Sequence, residues 1–227
     1  MISLFDAWQP QIRKLALTGW GEGRTLLAIA GAVPDCGVTT LCRGLARYAV
    51  QAGRRTVLLS FAEPLPDARA SGLPPPPSSP DPQPDPEGFD VLRCAAEAGG
   101  ASITDIAQLR AMVETACAAY GCVVADIAPI NELGMRCADG AAAAAACKRI
   151  FLVAPAGRID TSGFLACLNL LASSRVELAG VIVNDRFNPT LAAEMAREAR
   201  RLRFVSPRLS RWLARKALAS RFLSDRA

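Results

Sequence analysis

Six short, strongly apolar runs recur along this chain, most of them set apart by segments of helical character, and this alternation limits the fold more than any other feature. The runs cover residues 25–31, 55–61, 89–92, 122–125, 150–154 and 179–184. Helical patterning marks residues 39–52, 103–119 and 161–173, with further segments at 6–18 and 132–147. Strands that are apolar on both faces must be covered on both faces, and crossover helices supply the cover. The expectation is an α/β fold, a mostly parallel sheet flanked by helices on both faces, in a single domain over residues 1–227. Folds of this kind bind ligands at the carboxyl ends of their strands.

One stretch departs from the alternation. Ten of the 16 prolines fall between Pro64 and Pro86, and a backbone so poor in donors forms neither helix nor central strand. Residues 64–88 therefore read as a solvated, disordered, polyproline-like insertion inside the domain. The chain as a whole is 51% hydrophobic and 21% charged, which excludes wholesale disorder. No apolar run approaches the roughly 18 residues that cross a bilayer. The opening Met1-Ile2-Ser3-Leu4-Phe5-Asp6 also lacks the features of a secretion signal, so a cytoplasmic location is expected. In that reducing setting the eight cysteines read as thiols, none of them spaced Cys-x-x-Cys. The absence of histidine excludes imidazole catalysis and His-ligated metals.

The first apolar run leads into Ala32-Val33-Pro34-Asp35-Cys36-Gly37-Val38-Thr39-Thr40 and then a helix. Strand, tight loop and helix are the setting of a phosphate-binding loop. Backbone amides wrap the phosphates, the helix dipole adds positive charge, a Lys reaches the outer phosphates, and a Ser or Thr holds Mg²⁺. Gly37, Thr39 and Thr40 stand where such a loop needs them, but Val38 holds the Lys position. An ordinary strand-to-helix turn with a Thr cap is the alternative.

The order of segments goes further. Ala32-Val33-Pro34-x-x-Gly37-x-Thr39-Thr40 resembles the phosphate loop of the bacterial tyrosine kinases (BY-kinases) of polysaccharide export, within the MinD/ParA group of P-loop ATPases. In that family a second strand ends in Asp-x-Asp, where this chain has Phe61 and Glu63. A third signature, a strand ending Asp-x-Pro-Pro, looks like Val123 to Pro129 with Asp126 as its acid. Phe151-Leu152-Val153 after an alanine-rich helix, and Gly180-Val181-Ile182-Val183-Asn184, complete the order. The resemblance covers roughly residues 20–190.

What the resemblance implies is a P-loop NTPase fold of MinD/ParA type that takes ATP or ADP with Mg²⁺. Pro34, Cys36, Gly37, Val38, Thr39, Thr40 and Asn184 would line the nucleotide, Asn184 at the base. Thr39 and Asp126 would hold Mg²⁺, with Asp126 as the catalytic, Walker B-like carboxylate and Glu63 as a secondary one. Val38 in place of Lys removes a charge-assisted contact of about 1.5 to 3 kcal/mol, a roughly ten- to hundredfold loss of affinity. Phe61 in place of Asp removes a carboxylate used around the metal. Phosphoryl transfer depends on positioned charge, so turnover should suffer more than binding. Family members usually end in a tyrosine-rich tail, whereas the only tyrosines here are Tyr48 and Tyr120.

The implied function is that of a degenerate BY-kinase-like protein of exopolysaccharide or capsule synthesis or export. It would act as a regulatory or scaffold subunit, a pseudoenzyme with weak or no ATP binding. Its partner would be a membrane polysaccharide co-polymerase or export complex, and a homo-oligomer is a further candidate state. Two alternatives stay open: an active tyrosine kinase or ATPase whose missing cation comes from Lys14 or a neighbouring subunit, and a ParA-like partition protein. For Cys36, a helix N-terminus would stabilise the thiolate and make it oxidisable; the alternative is a small loop filler.

Charge divides unevenly. Residues 1–185 hold 15 basic and 18 acidic side chains, and residues 186–227 hold 11 and 3. The tail, residues 189–227, reads as helical and basic, with one helix at 191–203 whose apolar face holds Leu191, Met195, Ala199 and Leu202, and another at 209–223. Cations mixed with Trp212, Leu213 and Phe222 suit an anionic membrane surface, giving a peripheral position on the inner membrane. So much apolar bulk argues against nucleic acid, and a solvated or partner-facing surface is the other reading.

Overall fold

All six apolar runs form strands in the computed structural model, which describes residues 12–16, 25–62, 81–94, 103–131, 138–185, 195–196, 198–199 and 206–219. They are β1 (Thr25–Gly31), β2 (Thr56–Ser60), β4 (Asp90–Arg93), β5 (Cys122–Ile127), β6 (Arg149–Pro155) and β7 (Glu177–Asn184), joined by a two-residue β3 (Gln83–Pro84). The sheet runs in the order β3-β4-β2-β5-β1-β6-β7. β1 pairs in parallel with β5 and β6, and β2 with β4 and β5. Alternate side chains along the central strands feed two cores. Leu27, Ile29 and Val124 pack with α1 (Val38–Gln51) on one face. Ala28, Ala30, Val123 and Ala125 pack with α2 (Ile106–Ala119), α3 (Gly140–Cys147) and α4 (Thr161–Ser173) on the other.

Small residues bring α3 close to the sheet. Its sequence is Gly140 followed by six alanines and Cys147, nearly all buried. A β-carbon at Gly140 would stand 2.6 Å from the Pro129 carbonyl oxygen, so only glycine permits this approach. This helix begins at Gly140; residues 132–137, included in the patterned segment, lie outside the described residues. Ala138 is extended, bridging Ile103, and the Asp139 carboxylate caps the helix by accepting from the Ala142 amide at 2.8 Å. α2 likewise starts three residues later than the patterning suggests, because Asp105 caps it through the Ala107 amide.

The proline-rich stretch is corrected at its far end. Residues 63–80 lie outside the described residues, but Gln83–Pro84 pairs antiparallel with β4. Proline is tolerated there because β3 is an edge strand. Arg93 Nη1 donates to Gln83 Oε1 at 2.6 Å, and Arg43 Nη2 on α1 donates to Asp85 Oδ2 at 2.7 Å. Arg43 also lies over the ring of the buried Phe89, 5.4 Å from its centre. This end of the insertion is thus part of the sheet's edge.

The chain packs as two compact units, Met1–Ala154 with Ile159–Asn184, and Pro155–Arg158 with Asp185–Ala227. In the second, α5 (Pro207–Ala219) carries the basic tail's described helix. Residues 195–196 and 198–199 are helical, with Ala196 and Ala199 buried against Leu213. Met195, expected on the buried face, is exposed, because the packed side is set by these two alanines. Among the described residues no helix is long and apolar enough to cross a membrane.

Candidate functional site

β1 ends at Gly31 beside the middle of the sheet, and Ala32–Gly37 turns the chain into α1. Gly37 caps that helix in the left-handed conformation (φ +96), with no side-chain cap, so the expected Thr cap is not what starts it. Asp35 is left-handed too (φ +55), which aspartate tolerates better than most residues. Three elements pin the loop backbone. The Ala32 amide donates to the Val153 carbonyl on β6 at 2.9 Å. The Cys167 thiol on α4 donates to the Ala32 carbonyl at 3.3 Å and in turn accepts from Asn131 Nδ2 at 3.0 Å. Asn184 Nδ2, at the end of β7, donates to the Cys36 carbonyl at 2.7 Å.

The side chains divide sharply. Pro34, Asp35, Thr39 and Thr40 are exposed, while Cys36 and Val38 turn inward, 3% and 7% exposed, into the core beneath α1. A β-carbon at Gly31 would stand 2.7 Å from the Cys36 sulfur and 3.5 Å from Val38 Cγ2, which locates both groups over the floor of the turn. Burial pushes the Cys36 thiol up, against the opposing pull of backbone hydrogen bonds at Val33, Val38, Cys36 and Ala32. Burial outweighs these pulls, so of the two readings of Cys36 the geometry favours a small loop filler carrying a protonated thiol.

Asp126 lies on β5 opposite Ile29 of β1 and Ser60 of β2, 1% exposed. By strand alternation its side chain shares the α1 face with Val124. It is near enough to Cys42 on α1 that, after burial, its charge is the next cause holding that thiol well above its ordinary value. The loop's helix and Asp126 therefore meet, as a Walker B-like acid requires. Phe61 follows β2 and points to the opposite face, 0% exposed among the α2 and α3 side chains. Its amide donates to the Asp126 carbonyl at 2.8 Å. The position where a metal-side carboxylate was considered is core. Glu63 lies outside the described residues.

Asn184 does not stand open for a base: its amide is held on the loop, and a β-carbon at Gly37 would meet Nδ2 at 2.9 Å. Lys14 is exposed. Tyr120 caps the C-terminal end of α2. Its hydroxyl donates to Asp90 Oδ2 at 2.7 Å, and Arg55 lies 4.8 Å over its ring. The loop anchors Cys167, Asn131 and Val153 carry no motif, being contributed from far along the chain. Two features that would hold a triphosphate tightly are missing from the loop. The Lys position is buried valine, and the Cys36 sulfur lies close over Gly31.

No protein-family model matches the sequence, and no curated protein matches it. Solved structures do. The kinase domain of Escherichia coli tyrosine kinase ETK superposes with a TM-score of 0.57 at 19% identity, covering 80% of this chain and 75% of that one. The chimerical protein CapA2B2 gives 0.57 at 16% identity, over 80% of this chain and 85% of that one. The VpsO kinase domain gives 0.54 at 19% identity, over 80% and 98%. The chain shares the fold of these proteins, a bacterial tyrosine kinase domain among them.

Proposed function

We propose that this chain, built on the fold of bacterial tyrosine kinase domains, is a catalytically degraded member of that group. In this reading it serves exopolysaccharide or capsule synthesis or export as a regulatory or scaffold subunit. The observation that carries the reading is the buried Val38 at the start of α1, where phosphoryl transfer needs a cation aimed outward. Phe61 in the opposite core supports it, since no charge remains at either position to neutralise a transferring phosphate. The protein works in the cytoplasm against the inner membrane, beside a polysaccharide co-polymerase or export complex. Its attachment there is α5, which exposes Arg211, Trp212, Arg215 and Lys216 together. A helix with a large exposed aromatic among cations matches an anionic interface.

The exposed Thr39 and the buried Asp126 favour one secondary feature, weak binding of ATP or ADP with Mg²⁺ without turnover. The test is titration of a fluorescent ATP analogue with Mg²⁺, alongside an assay of phosphate release. Weak binding and no release are expected. Micromolar binding with steady release, abolished by Thr39→Ala or Asp126→Ala, would overturn the reading.

A further inference from the structure

We propose that the loop between β1 and α1 is sealed by its own side chain, and that Cys36, more than Val38, decides whether a phosphate can enter. The inference rests on the reading of a nucleotide-poor loop and names the residue responsible. A phosphate loop works because its concave backbone is left empty, with amides converging on a space an anion can fill. Here the Cys36 sulfur stands over Gly31, within 2.7 Å of where that residue's β-carbon would be, and the Val33 carbonyl is 3.1 Å from the same point. Val38 Cγ2 closes a second side at 3.5 Å. The buried Asn184 amide holds the Cys36 carbonyl at 2.7 Å, fixing the residue whose side chain fills the turn. Restoring a lysine at position 38 would therefore add charge without clearing the space.

Two measurements on the full-length chain test this. The first needs no variant: brief maleimide labelling of the native protein, read site by site by mass spectrometry. Cys36 should be protected, labelling at least about tenfold more slowly than the half-buried Cys117, because it reacts only after local opening. Equal labelling would sink the seal whatever the nucleotide affinity. The second is a binding series with the fluorescent ATP analogue and Mg²⁺. Val38→Lys alone should gain little, Cys36→Ala should gain more, and the double variant should exceed the product of the two. Cys36→Ser, which keeps the volume, should stay closed. Full recovery by Val38→Lys with nothing added by Cys36→Ala would overturn the inference. Tight wild-type binding that converts a protected Cys36 into a labelled one would instead sink the nucleotide-poor reading and support the seal as a gate.

Discussion

The loop at the end of β1 and the helix α5 use the same kinds of residue in opposite ways. In the loop the apolar groups, Cys36 and Val38, turn inward and crowd Gly31 at the turn's floor. In α5 the described cations Arg211, Arg215 and Lys216 turn outward with Trp212, which is 51% exposed. The contrast is between a loop closed by packing and a helix that offers its charge to solvent. A region of the first kind is governed by packing and indifferent to salt, whereas one of the second is governed by charge and weakened by it.

The largest expected effect breaks that contrast at the tail. Replacing Arg211, Arg215 and Lys216 by Ala removes about 3 kcal/mol of attraction to an anionic surface, on the order of a hundredfold in binding. Flotation with anionic vesicles should show this loss, neutral vesicles should show no binding to lose, and salt should mimic the variant. Unchanged flotation would move the membrane contact elsewhere or remove it.

The next effect belongs to the sheet unit alone, because no cysteine follows Cys167. Burial pushes Cys122 up to about 11 and Cys147 up to about 12, from an ordinary value of 9.0. Above pH 9 the unfolded thiols lose protons that the folded ones keep. Stability is therefore full below pH 9 and falls as pH rises toward 11 and 12, by up to about 1.4 kcal/mol per unit for each thiol. Denaturant titrations between pH 8 and 10.5 should show the decline, and Cys122→Ala with Cys147→Ala should make it shallower, the remainder coming from the other raised thiols such as Cys42. An unchanged slope would mean these thiols are not buried as described.

A smaller effect is steric. Gly140→Ala would ordinarily favour a helix, yet here it should lower stability by about 1 to 3 kcal/mol, since the new carbon meets the Pro129 carbonyl at 2.6 Å. Thermal unfolding measures it, and a stabilised variant would show that α3 stands off the sheet. The smallest effect is at the β3 edge. There the Glu87 amide and Arg43 outweigh burial and hold Asp85 below its ordinary value. Arg43 is 41% exposed, so Arg43→Ala should cost less than about 1 kcal/mol, lost as pH falls through the Asp85 titration. A larger cost would give the proline-rich segment's far end more weight in the fold than its ion pair does.

Much of this was legible in the residues. α4 spans the segment its patterning marks, and the strands differ from the apolar runs mainly at their ends. The polar cap Asp105 shortened α2, and proline at an edge strand escaped a rule that holds for central ones. In the candidate site, Val38 and Phe61 announce missing charge by identity alone. That Cys36 fills the turn could not be read, because either direction of its side chain is compatible with the same local sequence.

What the sequence determined by itself was the layered α/β architecture and the absence of a lysine and an acid from two expected positions. Apolar periodicity fixes which faces must be covered, and a residue's identity fixes the charge it can bring. Only the tertiary structure decided what occupies the space those groups left. It put a thiol over Gly31, tied Asn184 to the loop across 148 residues of sequence, and turned Phe61 into the opposite core. Such contacts depend on which surfaces come together after the sheet is assembled, and local patterning carries no record of partners so distant.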